Sequence, residues 1–565
     1  MKKQRLSILA LVAILGIATY ASDRTDAEMK AIASQQLLGA MSRNASFVNK
    51  NLTQELKNDY LSVYSAEGRG FVVVSRDDVF PAVLGKSSSV IDMNNLPEGF
   101  SWWLREASNS MQRRLETGNW YVRTRTGVTV EPFLTTKWNQ GTPYNLLCPS
   151  VASEHCPTGC GATAIAQIMK YYQYPAQGQG TGSYSKNGVP KTKEIKGVYD
   201  WSNMSDTYAK TQTTLTTTTE AVATLMSDVG AAIGMDYTIS YGGSRLSNCA
   251  RALVDNFQYD SLSLRILYRT LYTDMEWQGL VYNELTNKRP ILYAGNPEDG
   301  SSGHAFVFHG LDADGKVYVN WGWSGSCDGY YDMNILQPGS EAAQKGDYSS
   351  YNQMLIGFNP SKTPAEGAVD YSSWYTDSIC ILSIDQDYLM LTARGIYNRN
   401  YRSFRGKIFI AMENSNGKED DNVNILIYDT EDEDGSPVEP NYGFVFNTED
   451  HEQLGTVECI NLRDNTVKPG TYLVTFVTQG IHEAEPSPIR QIGGLICQYK
   501  LVKGANGELS ITESPASTPI TAITSPTAKQ VGTRTFYDLN GRRVGNNLDI
   551  LGKGVYIKDG KKVMK

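Results

Sequence analysis

The run CPTGCGATAIAQIMKYY, from Cys156 to Tyr172, sets a glycine-flanked cysteine at the head of an amphipathic segment. Ile165, Ile168, Met169 and Tyr172 fall at the three-and-four spacing that gives a helix one apolar face, and Ala162, Ala164 and Ala166 favour helix between them. Cys160 therefore belongs to the first turn. There the unpaired backbone N–H groups and the positive end of the helix dipole favour an anion, which predicts a thiol pKa lowered towards that of a working nucleophile.

Blander readings of the same residues exist. A helix cysteine is often a small buried apolar residue. Cys148, His155, Cys156 and Cys160 are all zinc-ligand types, although their spacing repeats no C-x-x-C pairing. In an exported chain, a Cys148–Cys156 disulfide that leaves Cys160 free is a further alternative. Export is the expectation from residues 1–21, where a basic start, an apolar run from Leu6 to Ala18 and small residues near Ala21 make a signal-peptide pattern. No later stretch approaches 18 uninterrupted apolar residues, so the mature chain is expected to be soluble.

Eight cysteines in 565 residues are too sparse for a disulfide-built scaffold. Stability must come from apolar cores, and a hydrophobic content of 41% over this length can supply several domains. A net charge of −8 without a long basic run argues against nucleic acid as the main partner. Composition shifts divide the chain beyond the leader into units. Residues 22–125 combine an apolar strand, GFVVVSRDD, with a helix, FSWWLREASNSMQRRLE, and end near the basic YVRTRTG. Residues 126–360 hold every chemical motif. Residues 361–512 carry alternating short strands such as GKIFIAMEN, NILIYDT and GTYLVTFVTQG, a β-sandwich signature. Residues 513–529 read as a Ser/Thr/Pro linker. Residues 530–565 form a small β unit with turns at Asn540-Gly541 and Asp559-Gly560.

A nucleophilic Cys160 needs a base, and of the five histidines only His155, His304 and His309 lie in the chemical region. His304 opens the apolar strand HAFVFHG after a glycine turn. His309 is an odd number of residues further on, so it faces the other side of the strand and cannot share the thiol. A second strand, KVYVN, pairs with the first as a hairpin through Asp314-Gly315 and ends at Asn320, Trp321 and Trp323. The chain order Cys, His, Asn is that of papain-like thiol proteases. The glycine-bearing stretches Tyr241–Arg245 and Ala294–Gly303 are candidates to border a cleft.

KWNQGTPYN, TGCGATAIAQIMKYYQYP, SGHAFVFHG and VNWGWSGSCDGYY, with echoes in LMSDVGAAIGMDY and FVVVSRDDVFPAVLG, resemble the streptopain-like cysteine peptidases of Bacteroides and Prevotella type. The resemblance covers roughly residues 22–360. It implies an α+β, papain-like catalytic domain with a streptopain-type prosegment, and a secreted, self-inhibited zymogen that hydrolyses proteins without metal or organic cofactor. Carried over, Cys160 matches the nucleophile, His304 the general base, Gln140 the side-chain donor of the oxyanion hole and Trp321 the tryptophan that shelters the dyad. Asn320 corresponds to the third member of the papain order, with a structural role as the alternative. Papain's own C-G-S-C-W pattern is absent. FYDLNGRRV with KGVYIKDGKKVMK is similar to C-terminal sorting signals of type IX secretion substrates, which implies secretion machinery as a partner and a secreted or cell-surface location. The expected partners are thus protein or peptide substrates and the chain's own prosegment. A papain-fold acyltransferase using the same dyad and a surface adhesin built on residues 361–512 are the rival classes.

Overall fold

Strand periodicity carries the architecture. In the computed structural model, HAFVFHGL forms a strand, His304–Leu311, whose successive side chains serve two different cores. Phe306 and Phe308 enter one apolar cluster. Val307, between them, enters another. The structure describes residues 23–39, 43–117, 127–295, 303–333, 335–336, 352–361, 374–376, 380–433, 435–446, 454–483 and 485–514. It also describes the backbone of strands Phe536–Tyr537, Arg543–Gly545, Val555–Lys558 and Lys561–Met564. The expected leader, the linker, the basic stretch around Arg123 and Arg125, most of the 294–303 loop and the turns at 540–541 and 559–560 lie outside the described residues.

A ten-stranded antiparallel sheet organises residues 53–356. Its strands in chain order are β1 (Thr53–Lys57), β2 (Leu61–Ala66), β3 (Gly70–Ser75), β4 (Val83–Ser87), β5 (Arg265–Tyr268), β6 (Ile291–Gly295), β7 (His304–Leu311), β8 (Val317–Asn320), β9 (Gly329–Tyr331) and β10 (Gln353–Ile356). Their spatial order is β1-β2-β3-β4-β9-β8-β7-β6-β10-β5. The β7–β8 hairpin pairs Val307 with Asn320 and Phe308 with Val319, as the Asp314-Gly315 turn predicts. The β4–β9 junction has no signal in the sequence: Ser87 pairs with Gly329 and Gly85 with Tyr331, so the segment expected as a prosegment extends the same sheet as the chemical motifs.

Helices cover both faces. On one side lie α4 (Cys160–Tyr172), α5 (Thr217–Ala232) and α6 (Leu246–Asp255), which bury Ile165, Ile168, Met226 and Leu253 with Leu292, Val307 and Leu355 of the sheet. On the other lie α3 (Glu98–Thr117) and α7 (Asp274–Thr286). Phe100, Trp102 and Trp103 of α3 meet Phe306 and Tyr331, with Trp103 edge-on to Tyr331 at 5.0 Å and Trp102 on Phe306 at 5.9 Å. Burying each such side chain is worth roughly 1.5–3 kcal/mol. Arg114, at the far end of α3, is fully buried and reaches Asp274 at 3.1 Å, a carboxylate it shares with Arg269. Helices α1 (Asp26–Leu38) and α2 (Ala45–Asn51) close the outer end, where Met29, Ala33, Val72 and Val74 form a separate small core.

Between residues 374 and 514 the described elements are strands and one short 3-10 turn, in sheets of five, three and six strands around one apolar core. This region is fastened to the first. Arg490 lies over the Tyr272 ring at 4.1 Å and binds Glu276 Oε1 and the Leu271 carbonyl at 3.1 Å. Tyr401 is buried and donates to the Ser261 carbonyl.

Candidate active site

Why glycine precedes the cysteine is visible in the backbone. Gly159 caps α4 at φ +84°, a left-handed conformation that disfavours any side chain, and a Cβ there would meet the Met235 thioether methyl at 2.5 Å and the Gly242 carbonyl at 3.0 Å. The YGGSR stretch thus packs directly under the helix start. Cys160 is the first helical residue, as the periodicity predicts, and its half-buried thiol accepts the Ala305 N–H at 3.4 Å. That bond brings the head of α4 against the head of β7, one residue from His304.

Strand parity then divides the two histidines. His304 shares the parity of Phe306 and Phe308, the α3 face, and its Nδ1 lies 3.4 Å from the Glu98 carboxylate at the start of α3. Among the described residues no hydrogen bond joins the imidazole to the Cys160 thiol. No sequence pattern singles out Glu98. His309 faces the other way: its Nδ1 accepts the Leu134 N–H at 3.1 Å, and its ring stands edge-on to Phe133 and Tyr318.

The electrostatics overturn one expectation. The Cys160 thiol pKa is raised, not lowered, because burial disfavours the thiolate more than the Ala305 and Gly161 N–H groups favour it, and the nearby Glu98 charge adds to the penalty. His304 is held down at about 4 by burial and then by the Arg105 guanidinium. Burial also raises the Glu98 carboxyl. At neutral pH this arrangement holds a neutral thiol and a neutral imidazole.

Gln140 sits two residues from the cysteine in effect, because its carbonyl takes the Thr158 N–H at 2.9 Å. Its side-chain amide makes no hydrogen bond among the described residues. Asn320 is committed elsewhere: its amide donates to the Thr136 carbonyl at 2.8 Å and to Gln167 Oε1 at 3.0 Å, and its oxygen accepts the Gly322 N–H. Buried Gln167 of α4, inconspicuous in the sequence, also receives Thr136 and the Trp138 N–H, so it ties the Gln140 segment to the end of β8. Trp321 is buried against Phe306 at 4.7 Å and Phe100 at 5.9 Å rather than over the imidazole. A Cβ on Gly99, next to Glu98, would meet its ring at 2.9 Å. Asp328 accepts the Trp321 N–H at 2.9 Å, and burial pushes its carboxyl up to about 7.

A cleft of about 670 Å³ opens beside Gln140, between Asn139, Gly141 and Trp323 on one wall and Ser89, Val90 and Asn95 on the other. The zinc set does not assemble, and all eight cysteines are free thiols in the structure. Cys148 faces the Tyr237 hydroxyl at 3.9 Å, His155 faces Ser150 and the Cys148 carbonyl, and Cys148 and Cys156 are both free thiols.

Buried His309 gives a pH prediction. Its pKa falls from 6.5 to about 3 on folding, because burial disfavours the charged imidazolium. A base with a depressed folded pKa binds more protons unfolded, so stability is lost as pH falls below 6.5 and continues to fall towards 3. Between pH 7 and pH 4 the loss is about 3 kcal/mol. His309→Gln keeps an acceptor for Leu134 and is expected to flatten this acid limb of the melting temperature while leaving activity per folded molecule nearly unchanged. An acid limb identical to that of wild type would refute the assignment.

Known proteins share this arrangement of segments. The model of the Peptidase C10 family matches residues 138–331. Streptopain of Streptococcus pyogenes is 30% identical over 400 residues, covering 64% of this chain and 99% of that protein. The thiol protease/hemagglutinin PrtT of Porphyromonas gingivalis is 32% identical over 338 residues, covering 54% of this chain and 37% of that protein. Among solved structures, a prointerpain A fragment of Prevotella intermedia is similar at 31% identity and a TM-score of 0.48, covering 54% of this chain and 98% of that one.

Proposed function

The chain belongs to the Peptidase C10 family, and on that premise we propose that it is a secreted cysteine endopeptidase made as a self-inhibited zymogen, with Cys160 as nucleophile and His304 as base. The observation that carries the reading is the meeting of the heads of α4 and β7: the Cys160 thiol accepts the N–H of the residue that follows the imidazole. Residues 126–360 are the papain-like catalytic unit in this reading, residues 22–125 its inhibitor, and residues 361–512 a β-sandwich appended to it.

In the working form His304 turns from Glu98 to Cys160 and takes the thiol proton. The thiolate attacks the peptide carbonyl, the imidazolium protonates the departing amine, and water then hydrolyses the thioester. The Gln140 amide, unclaimed by other groups, and the Cys160 backbone N–H stabilise the oxyanion. Asn320 and Trp321 act by position: Asn320 braces Gln167 and the Gly322 turn, and Trp321 packs against the start of α3. Glu98 against Nδ1 and the raised thiol pKa support latency, since both oppose the thiolate–imidazolium pair.

The reading is tested by casein hydrolysis with and without a thiol-directed epoxide. Incorporation of an acceptor amine in place of hydrolysis would instead favour the acyltransferase. Gln140→Ala is expected to lower kcat by roughly a hundredfold to a thousandfold, with KM and the rate of thiol alkylation little changed. A raised KM with kcat intact would make Gln140 a substrate-binding residue. Residues 530–565 are assigned to sorting. Their deletion should leave the purified activity intact and strand the protein in the periplasm of its host, and normal appearance of the truncated protein in the medium would overturn that assignment.

A further inference from the structure

Eight cysteines are spread along the chain, and those in residues 374–514 are Cys380, Cys459 and Cys497. All three converge on one core. Cys380 and Cys497 are each 1% exposed and belong to the same apolar cluster, against which the half-buried Cys459 packs. Burial, and after it the neighbouring Cys497 thiol, hold the Cys380 thiol well above the usual thiol range, and both cysteines are free thiols in the structure. Each stands immediately before a strand, and the strands belong to different sheets: Ile381–Asp385 in the three-stranded sheet and Gln498–Lys503 in the six-stranded one. The Cys459 thiol is turned to the Val457 carbonyl at 3.6 Å. Among the described residues no group of three or more His, Cys, Asp or Glu has the arrangement of a metal site, so the cluster is not a ligand set.

We propose that Cys380 and Cys497 form a disulfide that staples the two sheets together, leaving Cys459 as a free thiol beside it. The backbone already holds both residues in place: the Cys497 carbonyl accepts the Phe476 N–H at 3.1 Å and the Cys380 carbonyl accepts Gln491 Nε2 at 3.4 Å. Closing the bond removes one hydrogen from each thiol. The oxidant is a disulfide, such as oxidised glutathione or a protein disulfide of the export route. One protein thiolate attacks a sulfur of that disulfide and displaces a thiol, and the second protein thiolate then displaces the other. Two electrons and two protons pass to the oxidant, which leaves as two thiols. In the finished core burial holds the Cys380 thiol up and away from reactive thiolate, so the bond forms while the chain is still folding. The same burial shields it afterwards. One chain then contains a thiol that must stay reduced, Cys160, and a pair that stays oxidised.

The test uses full-length Cys160→Ala protein, which cannot digest itself, refolded in a buffer of oxidised and reduced glutathione. After denaturation, alkylation without reductant and proteolysis, mass spectrometry is expected to find the Cys380 and Cys497 peptides linked, lighter than their sum by two hydrogens, with Cys459 alkylated. Reduction should lower the melting temperature of this region by roughly 10 °C, and the double variant Cys380→Ala/Cys497→Ala should melt like the reduced protein in either buffer. Alkylation of both residues, or a link from either of them to Cys459, would overturn the proposal. So would an equal loss of melting temperature on reducing the double variant.

Discussion

Cys160→Ala and His304→Ala are each expected to lose activity on the order of 10⁴-fold to 10⁶-fold, and the double variant is expected to lose hardly more than either alone. In the proposed mechanism the two side chains act on one proton: without the imidazole the thiol stays protonated and the departing amine goes unprotonated, and without the thiol the imidazole has no nucleophile to activate. The raised thiol pKa makes this dependence steeper, because a thiol buried at the head of α4 does not ionise unaided at neutral pH. Alkylation of Cys160 by a haloacetamide separates the roles. His304→Ala protein should alkylate slowly across neutral pH, and wild type should alkylate rapidly once residues 22–125 have been removed. Additive losses in the double variant, or an unaltered alkylation rate in His304→Ala, would show that the two residues do not work as a pair.

The features legible in the sequence are local ones. The α4 helix follows from Ile165, Ile168 and Met169, and the β7–β8 hairpin follows from two alternating strands around Asp314-Gly315, because each depends on neighbours a few residues away. Strand parity also separates His304 from His309 without any knowledge of what either one touches. The rest depends on contacts between remote segments. Nothing near Glu98 in the sequence says that it will lie against His304, and nothing in KSSS says that Ser87 will pair with Gly329. Gln167 looks like one more polar residue on a helix, and only the fold aims it at Thr136, Trp138 and Asn320. The thiol pKa moves against expectation for the same reason. The helix terminus is a local feature, whereas the desolvation that outweighs it comes from packing α4 against the sheet.

The segment proposed as the inhibitor, residues 22–125, gives the second large effect. Wild type under reducing conditions is expected to convert to a shorter, active form beginning near residue 126, while Cys160→Ala accumulates as precursor. Cutting the chain cannot by itself free the site, because α3 is held along its whole length: Glu98 on His304, Phe100 and the two tryptophans in the core, Ser110 on the Ile335 carbonyl, and Arg114 on Asp274. The hold is nevertheless incomplete. Among the described residues the Trp102 and Trp103 indole N–H groups are buried without partners, each at a cost of about 1–3 kcal/mol, which in the proposed zymogen eases the release of α3. Arg114→Ala tests this away from the site, since Arg269 still neutralises Asp274 once Arg114 is gone. With Asp274 still paired, the loss is that of one charge-assisted hydrogen bond, about 1.5–3 kcal/mol, and part of that cost falls on the docking of α3. Arg114→Ala should therefore convert at least tenfold faster than wild type and yield a mature enzyme of unchanged kcat/KM. Mass spectrometry over a time course decides the matter. Wild type that stays full length yet fully active would show that residues 22–125 do not inhibit, and maturation of purified Cys160→Ala in the absence of other proteases would show that Cys160 does not make the cut.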